Sequence, residues 1–101
     1  MKPLLNTLEF QILATMGSAE MAGRAIGAEY EKEFGRINYG TLYTTLRRLR
    51  ESGFVDSRDD SDDDGRVRYF TLTGNGRVAV QSSRLFYREL AQIGLQKGQL
   101  A

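Results

Sequence analysis

The segment between positions 39 and 50 has leucines at the spacing of a buried helix face and polar or basic residues on the opposite side. Leu42, Leu46 and Leu49 recur at steps of four and three, the spacing of one apolar face of an α-helix. The intervening positions fall on the opposite side and offer guanidinium groups, hydroxyls and a glycine: Gly40, Thr41, Thr44, Arg47 and Arg48. Arginine donates two hydrogen bonds to guanine or phosphate, and threonine bonds phosphate or offers a methyl group to thymine. This outer face is therefore a candidate surface for contacting DNA.

The ends of this segment are typical of a helix that runs from about Tyr39 to Ser52. Asn38 is a favourable N-cap residue, and Gly53 suits the position after the last turn. Tyr39 and Tyr43 flank the outer face, so we include them, with Asn38, among the candidate DNA contacts. An alternative is an amphipathic helix whose arginines only keep it soluble. The absence of any acidic residue from position 36 to 50 argues against that alternative.

Composition excludes several other kinds of chemistry. The 101 residues include no cysteine and no histidine, which removes disulfides, thiolate chemistry and the usual zinc ligands. Nucleophile–histidine pairs are excluded too, so we expect no enzyme, no metal and no cofactor. The length fits one domain, and no apolar run approaches the ~18 residues of a membrane span. Residues 1–6 lack the features of a signal peptide, which predicts a cytoplasmic protein.

The elements that must position the candidate surface follow a simple order of three helices, a β-hairpin and a last helix. Capping residues, apolar periodicity and β-branched or aromatic runs predict helices at Thr7–Met16, Ala22–Phe34 and Thr73–Ile93, and strands at Phe54–Arg58 and Val67–Leu72. The fold class is therefore mainly α with a two-stranded β-hairpin (α+β), the plan of a winged helix-turn-helix. Residues 1–73 would form the DNA-binding unit, 74–94 an added dimerisation helix of the same compact unit, and 95–101 a frayed tail.

The hairpin has an unusually acidic centre, predicted as a turn from Asp59 to Gly65. Phosphate repels carboxylate, so only the basic residues at the base of the hairpin, Arg58, Arg66 and Arg68, are expected to touch a DNA backbone. Asp60, Asp62, Asp64 and Gly65 also match the opening of a calcium loop, D-x-D-x-D-G. Thr71 stands where such a loop needs a bidentate glutamate, and the flanks are strands rather than helices. We therefore interpret this segment as a solvated turn without a metal.

The last helix carries a wide apolar arc that needs a partner surface. The arc contains Val78, Ala79, Leu85, Phe86, Leu90 and Ile93. The small domain already has three helices and a hairpin to cover its core, so a second copy of the chain is the economical partner. The alternative is that the helix folds back on its own domain.

Three stretches of the sequence resemble the PadR family of transcriptional regulators. Residues 39–55 (YGTLYTTLRRLRESGFV) are similar to the segment in which that family opens its recognition helix and enters the wing. Residues 65–77 (GRVRYFTLTGNGR) are similar to its basic second wing strand and the following helix start, and residues 4–13 (LLNTLEFQIL) to its first helix. Two departures concern the contact surface. Thr44 stands where the family usually has proline, and Gly23-Arg24 replaces a usual Gly-Tyr.

The resemblance implies a homodimer that binds double-stranded DNA, represses transcription and responds to a small planar or phenolic effector. In this family the last helix dimerises with the partner's first helix, which adds Leu8 and Ile12 to the expected interface. Tyr30, Tyr39, Phe86 and Tyr87 are the aromatic candidates for contacting an effector. A two-fold dimer would read an inverted-repeat operator. A winged helix that binds another protein, through its acidic wing, is the alternative function.

Overall fold

The computed structural model describes residues 4–62 and 65–98, and the side chains of 4–61 and 65–94. In chain order the elements are α1 (Thr7–Met16), β1 (Met21–Ala22), α2 (Gly23–Phe34), α3 (Tyr39–Glu51), β2 (Val55–Asp62), β3 (Gly65–Leu72) and α4 (Gly74–Gly98). This is the predicted helix order with one added strand. None of the helices in these ranges is both long enough and apolar enough to cross a membrane.

The helices begin where local hydrogen bonding favours them. The Asn6 side chain accepts from the Glu9 amide at 2.8 Å while the Glu9 carboxylate accepts from the Asn6 amide at 2.9 Å. This reciprocal capping box confirms the predicted start of α1.

The hydrophobic core is built from one apolar stripe per helix and the inner residues of the sheet: Leu5, Ile12, Leu13, Met16, Ile26, Tyr30, Leu42, Leu46, Leu49, Val55, Phe70, Leu72, Ala79 and Val80.

The predicted two-stranded hairpin is confirmed as β2 and β3, and a short third strand joins it to give an antiparallel sheet in the order β1-β3-β2. The third strand consists of Met21 and Ala22, which pair with Phe70 and Tyr69. Two residues are too few to show an alternating pattern in a sequence. The same pairing moves the start of α2 from the predicted Ala22 to Gly23.

The hairpin is longer than the sequence indicated. We predicted a turn from Asp59 to Gly65, but β2 pairs with β3 as far as Asp62 opposite Gly65. Aspartate has a low strand propensity, and here cross-strand arginines compensate for it. The calcium-loop positions Asp63 and Asp64 lie outside the described residues. Among the residues described, no group of carboxylates is arranged to hold a metal ion.

The last helix is also longer than predicted, because it continues past Ile93 and Gly94 to Gly98. The expected frayed segment therefore begins inside the helix, and residues 99–101 lie outside the described part. The predicted start is confirmed: the Thr73 hydroxyl accepts from the Gly76 amide at 2.9 Å and donates to the Gly53 carbonyl at 2.7 Å. A single threonine thus caps α4 and fastens it to the segment that joins α3 to the β2–β3 hairpin, which we call the wing.

Gly76 brings the first turn of α4 against the backbone at the start of the wing. A Cβ at this position would overlap the carbonyl oxygen of Phe54 and lie 2.9 Å from Leu72 Cδ1. The same Phe54 carbonyl accepts from the Thr73 amide at 3.1 Å, so it has little freedom to move. Gly74, two residues earlier in the same turn, has open space around its Cα.

We expect Gly76→Ala to destabilise the protein by about 1–3 kcal/mol, the usual cost of forcing a methyl group into a packed site. Gly74→Ala is the matched control, and it should be neutral or stabilising because alanine is the better helix former. Urea unfolding of the two variants measures the difference. Equal midpoints for both variants would mean that α4 does not lie against Phe54 as described.

Candidate nucleic-acid interface

The outer face of α3 is exposed, and its inner face is buried. Leu42 and Leu46 have no exposed surface, and Leu49 is 1% exposed. The predicted contact residues Asn38, Gly40, Thr41, Thr44, Arg47 and Arg48 are all exposed. The Asn38 side chain caps the helix by accepting from the amides of Gly40 at 2.7 Å and Thr41 at 3.3 Å. The arrangement leaves the hydroxyl and guanidinium groups directed outward from a rigid base.

Two tyrosines of α3 lie against two glycines of α2. A Cβ at Gly23 would be 2.6 Å from Tyr43 Cε1, and one at Gly27 would be 3.0 Å from Tyr39 Cε1. The two rings also stack on each other, with their centroids 6.3 Å apart. Tyr39 and Tyr43 were predicted only to flank the contact face, but they also set the distance between α2 and α3. Both remain 40–46% exposed.

Two clefts open beside Tyr43 and are lined by basic residues. One, of about 120 Å³, lies between the start of α2 and β3, and its lining includes Arg24, Arg66 and Arg68. The other, of about 220 Å³, lies between α3 and the sheet and is lined by Tyr43, Arg47, Arg50, Arg68 and Phe70. Neither lining contains a carboxylate. The sequence did not indicate Arg24 or Arg50 as site residues. Arg24 lies on α2 and Arg50 on α3, and each comes close to β3 only through the tertiary packing of the helices against the sheet.

The predicted wing contacts Arg66 and Arg68 are already engaged. Arg68 donates to the two oxygens of Asp59 from Nε at 2.8 Å and from Nη2 at 3.3 Å, and Arg66 Nη2 donates to Asp59 Oδ2 at 3.2 Å. The hydrogen bond from Arg68 lowers the pKa of Asp59 below its ordinary value, which keeps the carboxylate ionised. Asp59 was predicted to be part of a solvated turn, and the structure instead places it in β2, between two candidate DNA contacts.

Arg58 joins the wing to the segment before β1. Its Nε and Nη2 donate to the two carboxylate oxygens of Glu20 at 2.8 and 2.7 Å, and its Nη1 donates to Asp60 at 3.0 Å. The guanidinium also lies 4.6 Å from the centre of the Tyr69 ring. We predicted Arg58 as a backbone contact, and the structure shows it occupied within the sheet. We call this group, Arg58 with Glu20, Asp60 and Tyr69, the wing clamp.

The predicted interface residues divide into two sets. Ile12 has no exposed surface, because it lies in the core of its own chain, so its assignment to a dimer interface is corrected. Leu8 and Phe86 are half-buried, and Leu8 packs on the core. Four residues are exposed on α4: Val78 (60%), Leu85 (53%), Leu90 (49%) and Ile93 (50%). The predicted arc is thus split, since Ala79 is fully buried in its own domain, Phe86 is half-buried, and the other four residues are exposed.

The aromatic residues named as effector candidates all have partners within the chain. Tyr30 packs on Phe34 with centroids 5.1 Å apart and donates to the Gln11 side chain at 2.9 Å. Tyr87 lies 5.4 Å from Phe86 and 5.3 Å from Phe10, and its hydroxyl donates to the Leu5 carbonyl at 3.0 Å. These contacts fasten α4 to α1, and Tyr39 serves the α2–α3 contact.

Three helices, a three-stranded sheet with a long hairpin and an exposed, basic third helix define a winged helix-turn-helix protein. The chain belongs to the PadR-like family of transcriptional regulators, whose family model matches residues 12–82. The members of this family are transcriptional regulators.

Individual relatives agree with this assignment. The chain is 31% identical over 85 residues to the transcriptional regulator Rv3488 of Mycobacterium tuberculosis, a match that covers 84% of this chain and 79% of the relative. A PadR family regulator from Clostridium difficile has the same fold, with a TM-score of 0.81 at 18% identity over 90% of this chain and 97% of that one. Bacillus subtilis PadR, solved with operator DNA, matches with a TM-score of 0.66 at 25% identity over 75% of this chain and 45% of that one.

The wing clamp should open in acid. The pKa of Glu20 lies below its ordinary value of 4.5, chiefly because Arg58 donates to it. Since the folded pKa is depressed, the contribution to stability is complete above 4.5 and is lost as the pH falls through the lowered value. We expect the side-chain Nε–H resonance of Arg58 in NMR spectra to shift toward its position in a free guanidinium group as the pH falls below 4.5, because protonation of Glu20 removes the charged acceptor. Glu20→Gln should produce a shift in the same direction at pH 6, and a resonance position that ignores both changes would contradict the clamp.

Proposed function

We propose that this chain is a DNA-binding repressor that reads its operator with α3 in the major groove. The observation that carries the proposal is the outer face of α3, where Thr41, Thr44, Arg47 and Arg48 are exposed on a helix whose inner face is fully buried. Among the described residues, no carboxylate forms an ion pair with Arg47 or Arg48. Bacillus subtilis PadR, a relative of the same fold, has been solved with operator DNA, which supports the same role here.

The basic clefts on either side of Tyr43 supply the phosphate contacts in this proposal. Phosphate contacts fix the register of a protein on the duplex, whereas side chains at the base edges supply sequence preference. Arg47 and Arg50 lie at the cleft between α3 and the sheet, next to Arg68 of the wing. Arg48 lies on the other side of α3, in a shallow groove with Asn38, Thr41 and Thr44. We therefore assign base contacts to Arg48 and backbone contacts to Arg47.

A homodimer formed by α4 is the second part of the proposal. From Arg88 to Gly94 every residue of α4 is exposed, because the helix extends beyond its own domain. Leu90 and Ile93 lie on this projecting part, about half exposed, and Val78 and Leu85 extend the apolar strip back toward the wing. A helix is stable at such a position when a partner covers its apolar side. Two-fold pairing of α4 would present two recognition helices to an inverted-repeat operator.

A small-molecule effector site is the third part of the proposal. A cleft of about 200 Å³ lies between α1 and α4, with an apolar floor that includes Leu13, Leu72 and Val80. Arg77 and Arg84 stand at its rim. Apolar walls with a few charged groups suit a small planar acid, in line with the effector class that the family resemblance implies.

Charge placed in the α4 strip should separate the dimer. We expect Leu90→Asp and Ile93→Asp to sediment as monomers, because burying an unpaired carboxylate in an apolar interface is strongly unfavourable. Ala91→Asp is the matched control: Ala91 is exposed on the next position of the same projecting turn, away from the strip. The control should remain a dimer with an unchanged helical CD signal. Dimers of all three variants would exclude this strip as the interface.

Removing Arg47 and Arg48 of α3 should abolish specific binding while the fold is retained. Selection of genomic fragments with the purified protein supplies the operator, which we expect to be an inverted repeat. In fluorescence titrations, Arg47→Ala should lower the slope of log affinity against log salt by about one unit per half-site. Arg48→Ala should cost about 1–3 kcal/mol per half-site and relax sequence preference. A double variant that folds, dimerises and binds like the wild type would favour a protein-binding winged helix instead.

A further inference from the structure

Asp59 stands on the face of the hairpin that is turned toward α3. Strand side chains alternate between faces, so Ser57 and Asp59 share one face, while Asp56, Arg58 and Asp60 share the other. In the register of the sheet, Ser57 faces the buried Phe70, and Asp59 faces Arg68 directly. Ser57 also accepts a hydrogen bond from Arg50 of α3 at 3.2 Å. The face that carries Asp59 is therefore the one beside the candidate recognition helix.

The Asp59 carboxylate occupies the donors that would otherwise face a DNA backbone. Arg68 engages it with two nitrogens and Arg66 with a third, all within 3.3 Å. Arg66 and Arg68 line the cleft beside the start of α2, and Arg68 also lines the cleft that contains Arg47 and Arg50. The residues that line these clefts include no carboxylate of their own, and within residues 4–61 and 65–94 Asp59 is the acidic group that forms ion pairs with Arg66 and Arg68.

We propose that Asp59 is an internal competitor of DNA phosphate, so that the wing arginines reach the DNA backbone only by exchanging this carboxylate for a phosphate group. The inference rests on the proposed DNA-binding function. It assigns a specific role to a residue whose charge would otherwise only oppose binding.

The exchange replaces one guanidinium–anion contact with another, so its free-energy cost is small. Carboxylate and phosphate both accept paired hydrogen bonds from a guanidinium group, so the arginine keeps its geometry when it changes partner. The side chains of Asp59, Arg68 and Arg66 are 39%, 48% and 82% exposed, and ion pairs as exposed as these are weak and screened by salt. Because phosphates are the same in every sequence, the competition should lower the affinity for all DNA alike. Asp59 would thus tune overall affinity and salt dependence without changing the preferred operator.

The test compares Asp59→Asn with Asp56→Asn on the selected operator and on random duplex DNA. Asp56 lies on the same strand and the opposite face, exposed, and no ion pair with it is found among the described residues. Both variants remove one negative charge, and only the first releases the arginines. We expect Asp59→Asn to bind both DNAs about two- to fivefold more tightly per half-site than Asp56→Asn, the range that an exposed ion pair allows. Its salt slope should be steeper by about one unit for each arginine that stays on Asp59 in the Asp56→Asn complex and contacts phosphate in the Asp59→Asn complex.

A third arm repeats Asp59→Asn in a protein that also carries Arg66→Ala and Arg68→Ala. The extra gain should disappear there, because no wing arginine is left to release. Equal affinities of Asp59→Asn and Asp56→Asn would overturn the inference, and weaker binding by Asp59→Asn would show that Asp59 holds the arginines in place for DNA. If the wild type itself shows no salt-dependent binding to either DNA, the proposed function fails, and that result is distinct from either outcome.

Discussion

The distance between α2 and α3 is the constraint on which the DNA-facing surface depends. Gly23 and Gly27 lie one turn apart on α2, and each leaves room for a tyrosine ring of α3. A Cβ at either glycine would meet one of these rings, so that the ring beside the outer face of α3 would have to shift. The leucines below α3 could fill their core positions only if the helix stayed close. A pair of residues without side chains thus fixes a surface whose function depends on long side chains.

The second constraint is electrostatic and concerns where charges of opposite sign meet. The chain has 14 basic and 13 acidic residues, so its net charge of +1 gives no hint of a DNA-binding face. The hairpin separates the charges by the alternation of its strands. On one face Arg58 is held by Glu20 and Asp60, and on the other Arg66 and Arg68 share Asp59. Arg47 and Arg50 of α3 line a cleft with Arg68 but form no ion pair with Glu20, Asp59 or Asp60, which gives α3 and the wing different electrostatic characters.

Much of this architecture could be predicted from the sequence, because it depends on local signals. Asn6, Asn38 and Thr73 cap helices in the structure as their residue types indicate. The errors came from long-range pairing. β1 exists only because Met21 and Ala22 meet β3, and β2 extends through a run of aspartates because arginines face it across the hairpin. Ile12 matched an interface pattern, but an apolar face on α1 has the same spacing whether it covers its own core or a partner.

Because α4 is long and is anchored at its first turn, a small tilt there displaces its far end by a large distance. Thr73 and Gly76 hold its first turn against Gly53 and Phe54, so the helix is anchored at the base of the wing. With 25 residues, α4 is about 37 Å long. A tilt of about 5° at the anchored end displaces the far end by roughly 3 Å, close to the ~3.4 Å rise of one base pair. In the proposed dimer, a small change in the crossing angle of the two α4 helices would therefore change the half-site spacing that the dimer fits by about one base-pair step.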